Sequence, residues 1–400
     1  MIRHCLANNY KTLHNSITIS KAKDCLLYDT KGNEYIDFVS GYSSVNIGHC
    51  NNRLLQKVSL QMNKLCHTSR FMENPYTNSF SNYITTLFGY DKVLPMNSGV
   101  EAGETAVKLV RKYAHSRGVS SSVSKILFPK GNFWGRSITA CSTQDNRNNH
   151  FGPYTPGFEI VDYDNIPVLE EKLQDPTVIA YFMEPLQGEA GIIVPTQGYL
   201  KRVRELCDKY NKILIFDEIQ SGLGRTGKLL TSYYEDVKPD VLLLGKALSG
   251  GITPISCVLA NDTLMSVMQP GSHGSTFGGN PLACSVAEET LKIILEENLS
   301  NRSYFLGTEF KREIQDIEHP DIVDVRGMGL MIGIEFRTSF ICDMFIEYML
   351  KHNIIVNKTK NKVVRITPPL TIKETQLEHF VDAIKQFYVN EKKEYICFTL

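Results

Sequence analysis

Two charged residues stand where apolar runs end. The run VLLL is followed by Gly245 and then Lys246, and the run ILIF is followed at once by Asp217. Each reads as a buried strand that delivers one charge at its C-terminal end. An open parallel sheet gathers its reactive groups along that edge. An amine and a carboxylate in one crevice can serve pyridoxal-phosphate chemistry, which needs an amine to carry the cofactor and an acid to hold a proton on its pyridine nitrogen. They can equally form a buried Lys–Asp ion pair, and two such strands do not decide between the readings.

The elements that must position these groups follow from periodicity. Residues 24–38 (DCLLYDTKGNEYIDF) predict a hairpin that turns at Lys31, Gly32 and Asn33. The stretch 97–116 begins Asn-Ser-Gly, a helix-start signal, and Ala102, Ala106, Leu109, Val110 and Tyr113 then recur at helical spacing. SKILF, TVIAYFMEP, KILIF and DVLLLG read as strands, with the helix GYLKRVRELCDKY among them. This βαβ series predicts an α/β fold, a mostly parallel sheet with helices on both faces. From about Pro281 the pattern changes to a long helix (CSVAEETLKIILEENL) and then short strands and helices, including GLMIGIEF and KVVRITPP. The expected division is an N-terminal segment (1–38), a large domain (39–286) and a smaller α+β domain (287–400) on which the N-terminal segment packs. The tail NEKKEYICFTL reads as peripheral.

Bulk properties narrow the class. A chain of 400 residues is long enough for two domains, and 42% hydrophobic with 22% charged residues is ordinary globular composition. Its 43 basic side chains balance 43 acidic ones, which argues against nucleic acid or an anionic membrane as partner. No run of about 18 apolar residues is present, so no membrane span is expected. The N-terminus lacks an apolar signal core, and a cytoplasmic address is the expectation. The ten cysteines form no CxxC pair, which suits neither a zinc site nor a disulfide framework; reduced core thiols, and no metal, are expected.

One motif is a decoy. GLGRTGKL (Gly222 to Leu229) matches GxGxxG and nearly matches the P-loop pattern, but Leu229 offers no hydroxyl to a magnesium ion. Asp217, Glu218 and Gln220 also separate the preceding strand from the glycines, so no tight strand-to-helix turn is available. A glycine-rich loop at a crowded interface is the better reading.

Other segments give Lys246 and Asp217 company. NSGVEAGETAVKL places Ser98, Gly99 and Val100 at a helix N-terminus, where free N–H groups and the positive dipole end suit a phosphate. HGSTFGGNPLAC carries hydroxyls at Ser275 and Thr276, GNFWGRS carries Phe133 and Arg136, and MEPLQGEAG carries Glu184, Gln187 and Glu189. With FVSGYSSVNIGHC, FGPYTPGF, DEIQSGLGRTGK, LLGKALSGG and RITPPL, these motifs resemble the class III aminotransferases in the family's order. The resemblance spans roughly residues 16 to 385. It is strongest to the members that act on ornithine.

The resemblance implies pyridoxal-phosphate fold type I and a role for each residue. Lys246 would carry the cofactor and then move the proton between the substrate carbon and the cofactor. Asp217 would hold the pyridine nitrogen protonated, Gln220 would reach the phenolic oxygen, and Ile219 and Phe133 would pack on the two ring faces. Ser98, Gly99 and Val100 would bind the phosphate, while Thr276 with Ser275 would bind that of the neighbouring subunit, which implies a homodimer with shared active sites. Arg136 would clamp ornithine's distant α-carboxylate. Arg365 would take the carboxylate of 2-oxoglutarate, and Glu189 would mask Arg365 while ornithine is bound. Tyr42 would line the substrate pocket beside the ornithine α-amino group. The partners implied are therefore amino-acid and 2-oxo-acid substrates, and the activity implied is transfer of ornithine's δ-amino group to 2-oxoglutarate.

The sequence also departs from the family's pattern. The N-terminal aromatic expected at Thr12 has its nearest candidate in Tyr10, two positions off. Asn51 and Asn52 replace a His-Pro pair at a helix start, where the change should act on capping. Thr253 replaces an aromatic after the SGG of the lysine segment.

Overall fold

A computed structural model of the chain describes residues 7, 9, 17–145 and 150–398, with side chains to residue 389. Tyr10 and Thr12 lie outside the described residues. The hairpin expected at 24–38 forms: β1 (Ile19–Lys23), β2 (Leu26–Asp29) and β3 (Glu34–Asp37) pair antiparallel, with Gly32 at φ 89° in the turn. The helix Asn52–Met62 follows, and Asn51 caps it by accepting hydrogen bonds from the N–H groups of Arg53 and Leu54.

The central sheet contains β4 (Lys92–Met96), β5 (Lys125–Pro129), β6 (Phe158–Val161), β7 (Val178–Met183), β8 (Ile213–Asp217), β9 (Val241–Leu244) and β10 (Ser256–Ala260), in the order β4-β10-β9-β8-β7-β5-β6. Strands β6 to β9 with β5 pair parallel, and β10 runs antiparallel to both its neighbours. Strands β7, β9 and β10 are buried throughout, as a sheet covered on both faces requires. Alternation assigns the faces. Phe128, Phe182 and Leu243 meet Ala102, Ala106 and Val110 of the helix Gly99–Ser116. Leu127, Tyr181 and Phe216 meet Leu200, Val203 and Leu206 of the helix Tyr199–Lys209. Leu242, Leu244 and Leu259 join Val286, Ala287 and Leu291 of the helix Pro281–Glu296.

Strands β4, β6 and β10 of this sheet are not among the expected ones. Pro95 argues against a strand reading of KVLPM, yet β4 is an edge strand, where a missing N–H is tolerated.

The C-terminal part adds β11 (Ile322–Met328), β12 (Met331–Phe336), β13 (Ile354–Ile355), β14 (Asn357–Thr359) and β15 (Val363–Ile366). Four of them form the sheet β11-β12-β15-β14, and β13 joins β3 in parallel, tying the N-terminal ribbon to this part of the chain. The final helix, Glu374–Phe398, includes most of the tail.

The GLGRTGK segment is no nucleotide loop. A 3-10 turn at Thr231–Tyr234 follows it in place of a helix, and the fully buried Arg225 at its centre reaches backbone carbonyls of Leu330 and Pro368. The expectation of core thiols needs one correction. Cys25, Cys141, Cys207, Cys257, Cys284 and Cys342 are buried, but Cys50 and Cys66 are exposed, and neither of these lies in an apolar run. No helix among the described residues is long and apolar enough to cross a membrane.

Candidate active site

Three consecutive parallel strands deliver ionisable groups to one edge of the sheet. Glu184 follows β7, Asp217 ends β8, and Lys246 follows β9 after Gly245. They face a cavity of about 200 Å³, also lined by Gly99, Val100, Phe133, Ile219 and Gln220. Lys246 takes φ 41°, a left-handed conformation that is strained for a lysine and is the kind of outlier found at functional sites.

Burial sets the charges. It pulls the Lys246 ammonium down to about 8, against the attraction of Glu189. Burial lifts Asp217 to about 6, although its Oδ1 accepts the Ile219 N–H at 2.9 Å. Burial, reinforced by Asp217, lifts Glu184 to about 8.

The ends and walls of the cavity are equally specific. Ser98 caps the helix Gly99–Ser116 in a reciprocal box with Glu101, which consumes the Ser98 N–H and hydroxyl. The N–H groups of Gly99 and Val100, in the first turn, have no partner within the helix. Ile219 lies between this helix start and the end of β9: a side chain at Gly99 or Gly245 would meet it at 3.2 or 3.3 Å. Gln220 holds its Nε2 buried and unpartnered, and a Cβ on Gly188 would meet its Oε1 at 1.8 Å.

The loop with Ser275 and Thr276 joins the same helix start. Asn97 donates to Ser275 Oγ at 2.7 Å, and His273 bridges Thr105 Oγ1 (2.7 Å) and Lys108 Nζ (2.8 Å). Burial and the Lys108 charge lower the His273 pKa, so the ring accepts from Lys108 at Nδ1 and donates to Thr105 from Nε2. Thr276 is exposed.

A second group of residues lies beside the cavity. Arg365, on β15 and 1% exposed, pairs with Glu189 at 2.5 Å, and its guanidinium stands 5.5 Å from the Tyr42 ring centre. Tyr42 is presented by an unusual turn. Ser40, Gly41, Tyr42 and Ser43 have φ of 44°, 57°, 59° and 68°, a left-handed run that costs roughly 1–2 kcal/mol per non-glycine residue. Asp37 holds this turn by accepting the N–H groups of Val39 and Ser40, and its other oxygen meets His49 at 2.7 Å. Arg136 is exposed and lies 5.8 Å from the Phe133 ring. Arg136, Phe133, Glu189, Thr359 and Lys360 line one open cleft of about 670 Å³.

Known proteins resemble this chain in sequence and fold. The family profile described as aminotransferase class-III matches residues 6–388. The chain belongs to the class III aminotransferases. This class III aminotransferase is 43% identical to the mitochondrial ornithine aminotransferase of Drosophila melanogaster, across 95% of its own length and 88% of the relative's. Its fold matches an ornithine aminotransferase structure from Toxoplasma gondii with pyridoxal phosphate at partial occupancy in the active site (TM-score 0.94, 41% identity, 98% and 93% coverage). It also matches an acetylornithine aminotransferase from Elizabethkingia anophelis (TM-score 0.86, 40% identity, 95% of each chain).

Pyridoxal phosphate is the family's cofactor, and the residues fit it. The orphaned Gln220 amide, the free N–H groups of Gly99 and Val100, and the half-buried Lys246 amine each answer a different part of that molecule. Two lining residues had no assigned role in the sequence reading. Glu184 stood in the motif but had no role, and Lys360 in the cleft carried no signal at all. Thr253 is half-buried and does not line the cavity. Among the described residues no cluster of histidine, cysteine, aspartate or glutamate could hold a metal ion.

Proposed function

We propose that this class III aminotransferase moves the δ-amino group of L-ornithine to 2-oxoglutarate, giving glutamate 5-semialdehyde and L-glutamate. The observation that carries this reading is the buried Arg365 covered on two sides, by the Glu189 carboxylate and by the Tyr42 ring. An arginine open beside the reacting centre would bind ornithine's α-carboxylate and present the wrong amine. With Arg365 masked, the α-carboxylate goes to Arg136 at the far side of the cleft, and the δ-carbon faces Lys246. For 2-oxoglutarate, Glu189 swings away and Arg365 takes the carboxylate in a bidentate pair.

When bound, pyridoxal phosphate supplies an electron sink for the carbanion left by deprotonation. The chain's residues do the rest. Lys246, its amine made less basic by burial, carries the proton off the substrate carbon. Asp217 keeps a proton on the ring nitrogen, and Gly99 and Val100 hold the phosphate by their N–H groups, with Ser98 as the cap that fixes them. A second copy of the chain completes the site in this reading: Thr276 and Ser275 reach the partner's phosphate. Exposed apolar side chains support that homodimer: Phe277, in this loop, stacks on His67, and Phe71 and Met72 directly follow Arg70, which donates to the His273 carbonyl.

A panel of amino donors tests the substrate. Ornithine is expected to outrun N-acetylornithine and 4-aminobutyrate; a preference for N-acetylornithine would transfer the assignment to the activity named for the Elizabethkingia neighbour. The switch has its own test. Glu189→Ala should raise the share of α-amino transfer from ornithine roughly tenfold, the worth of one charge-assisted hydrogen bond. Chromatography of the two oxo products reads this partition, and an unchanged partition would remove Glu189 from its role.

A further inference from the structure

The Glu184 carboxyl lies in the wall of the cavity with Lys246 and Asp217, and the reaction above does not use it. Its two oxygens have separate tasks. Oε2 accepts the backbone N–H of Phe133 at 3.2 Å, and Oε1 accepts that of Gly188 at 3.1 Å. Phe133 is the aromatic wall of the cavity, and Gly188 immediately precedes Glu189. Glu184 is itself fixed, because the Tyr163 hydroxyl donates to its carbonyl at 3.1 Å.

The turn that carries Glu189 has little freedom elsewhere. Gln187 and Ile193 exchange backbone hydrogen bonds of 3.1 and 2.9 Å, and Thr359 Oγ1 donates to the Glu189 carbonyl at 2.5 Å. Gly188 approaches Gln220 so closely that no side chain fits there. The Gly188 carbonyl accepts the N–H groups of Gly191 and Ile192, and Gln187 Nε2 donates to the Lys130 carbonyl, while the Gly188 N–H on the cavity side is held by the Glu184 carboxyl.

We propose that Glu184 is a positioning residue that fixes the backbones of Phe133 and Gly188–Glu189 together and so sets the δ-over-α preference that Glu189 expresses. This rests on the proposed masking of Arg365 by Glu189. A carboxyl group suits the task because two N–H donors need two acceptor oxygens, and both oxygens keep acceptor lone pairs whether the group is ionised or protonated. Glutamine has the same shape but one acceptor, and its NH₂ group opposes one of the two donors. Aspartate is one methylene too short to reach both.

The experiment compares Glu184→Gln, Glu184→Ala and Glu189→Ala by two readouts. The first is the partition of ornithine between δ and α products, which a general loss of folded enzyme does not move. The second is tryptophan emission of the cofactor-free protein, because the chain's single tryptophan, Trp134, is buried next to Phe133. Both Glu184 variants should raise the α share several-fold, up to roughly tenfold, and shift the Trp134 emission. Combining Glu184→Gln with Glu189→Ala should give the partition of Glu189→Ala alone. Wild-type partition in the Glu184 variants, with a raised α share in Glu189→Ala, would overturn the inference and leave the proposed function intact. Unchanged partition in Glu189→Ala would overturn the masking itself and the Glu184 effect with it. Wild-type Trp134 emission in both Glu184 variants would overturn the brace whatever the products show. Should Glu184→Ala fail to fold, the isosteric Glu184→Gln decides alone.

Discussion

Replacing Lys246 by methionine should lower amine transfer by about 10⁴-fold, the upper range for removing a positioned base, and should at the same time make the cofactor-free protein more stable at pH 7. Both effects come from the same burial. The lysine stands at the end of a fully buried strand, on a strained backbone, with its ammonium pulled from 10.5 to about 8. The unfolded chain keeps the ordinary value. Between about 8 and 10.5 the unfolded chain therefore binds more protons than the folded one, and stability rises with pH across that window. Below pH 8 the whole penalty of the buried cation is present; above 10.5 it is gone. Methionine keeps most of the stem's packing and removes the charge, so the gain in melting temperature should be largest below pH 8 and vanish near pH 10.5. Calorimetry of the cofactor-free proteins at pH 7 and pH 10, beside a coupled assay of the loaded ones, reads both effects. Equal melting temperatures at pH 7 would mean that Lys246 is solvated in the cofactor-free site, and retained turnover would end its assignment as the proton carrier.

The visibility of this site in the sequence follows from the range of the interactions that build it. Lys246 and Asp217 are visible because each ends an apolar run, and a buried parallel strand leaves few other reasons for a charge there. The helix at Gly99 is visible because capping is local: Ser98 and Glu101 are three residues apart. Glu184 is different. Its charge is plain after VIAYFM, but its meaning depends on an N–H donor 51 residues away at Phe133, which no local pattern encodes. The pairing of Glu189 with Arg365 spans 176 residues and was reached through family resemblance. The left-handed turn under Tyr42 is only partly legible: Asp37 braces it locally, two and three residues before the N–H groups it accepts, but Arg225 reaches Ser40 from 185 residues away. The edge strand β4 was hidden by Pro95, which penalises a central strand far more than an edge.

Arg225 shows most sharply how a misleading motif can mark a real constraint, and Arg225→Met should destabilise the protein by about 2–4 kcal/mol. The side chain is fully buried, and burial lowers its pKa to about 9, so it remains a cation at neutral pH. Its Nη1 donates to the carbonyls of Leu330 and Pro368 at 2.9 and 2.6 Å, and its Nη2 donates to Asn46 Oδ1 at 2.5 Å and to Ser40 Oγ at 3.4 Å. A buried cation replaced by an apolar residue can be neutral when its partners are replaced too. Here two partners are backbone carbonyls that no side-chain change can remove, and each one stranded costs about 1–3 kcal/mol. The loss should therefore exceed the relief of desolvation. It should also reach the substrate pocket, because Ser40 begins the turn that presents Tyr42 and Asn46 follows it closely. Urea unfolding should show a lower midpoint for Arg225→Met, and the folded fraction should show a weaker preference for ornithine over other donors. Arg225→Lys should recover part of the stability, since an ammonium can serve the carbonyls but cannot span to Asn46 and Ser40 at once. A variant that loses stability and keeps the donor preference would show that the Asp37 contacts, with the bond from Ser40 Oγ to the Thr367 carbonyl, hold the Tyr42 turn without Arg225.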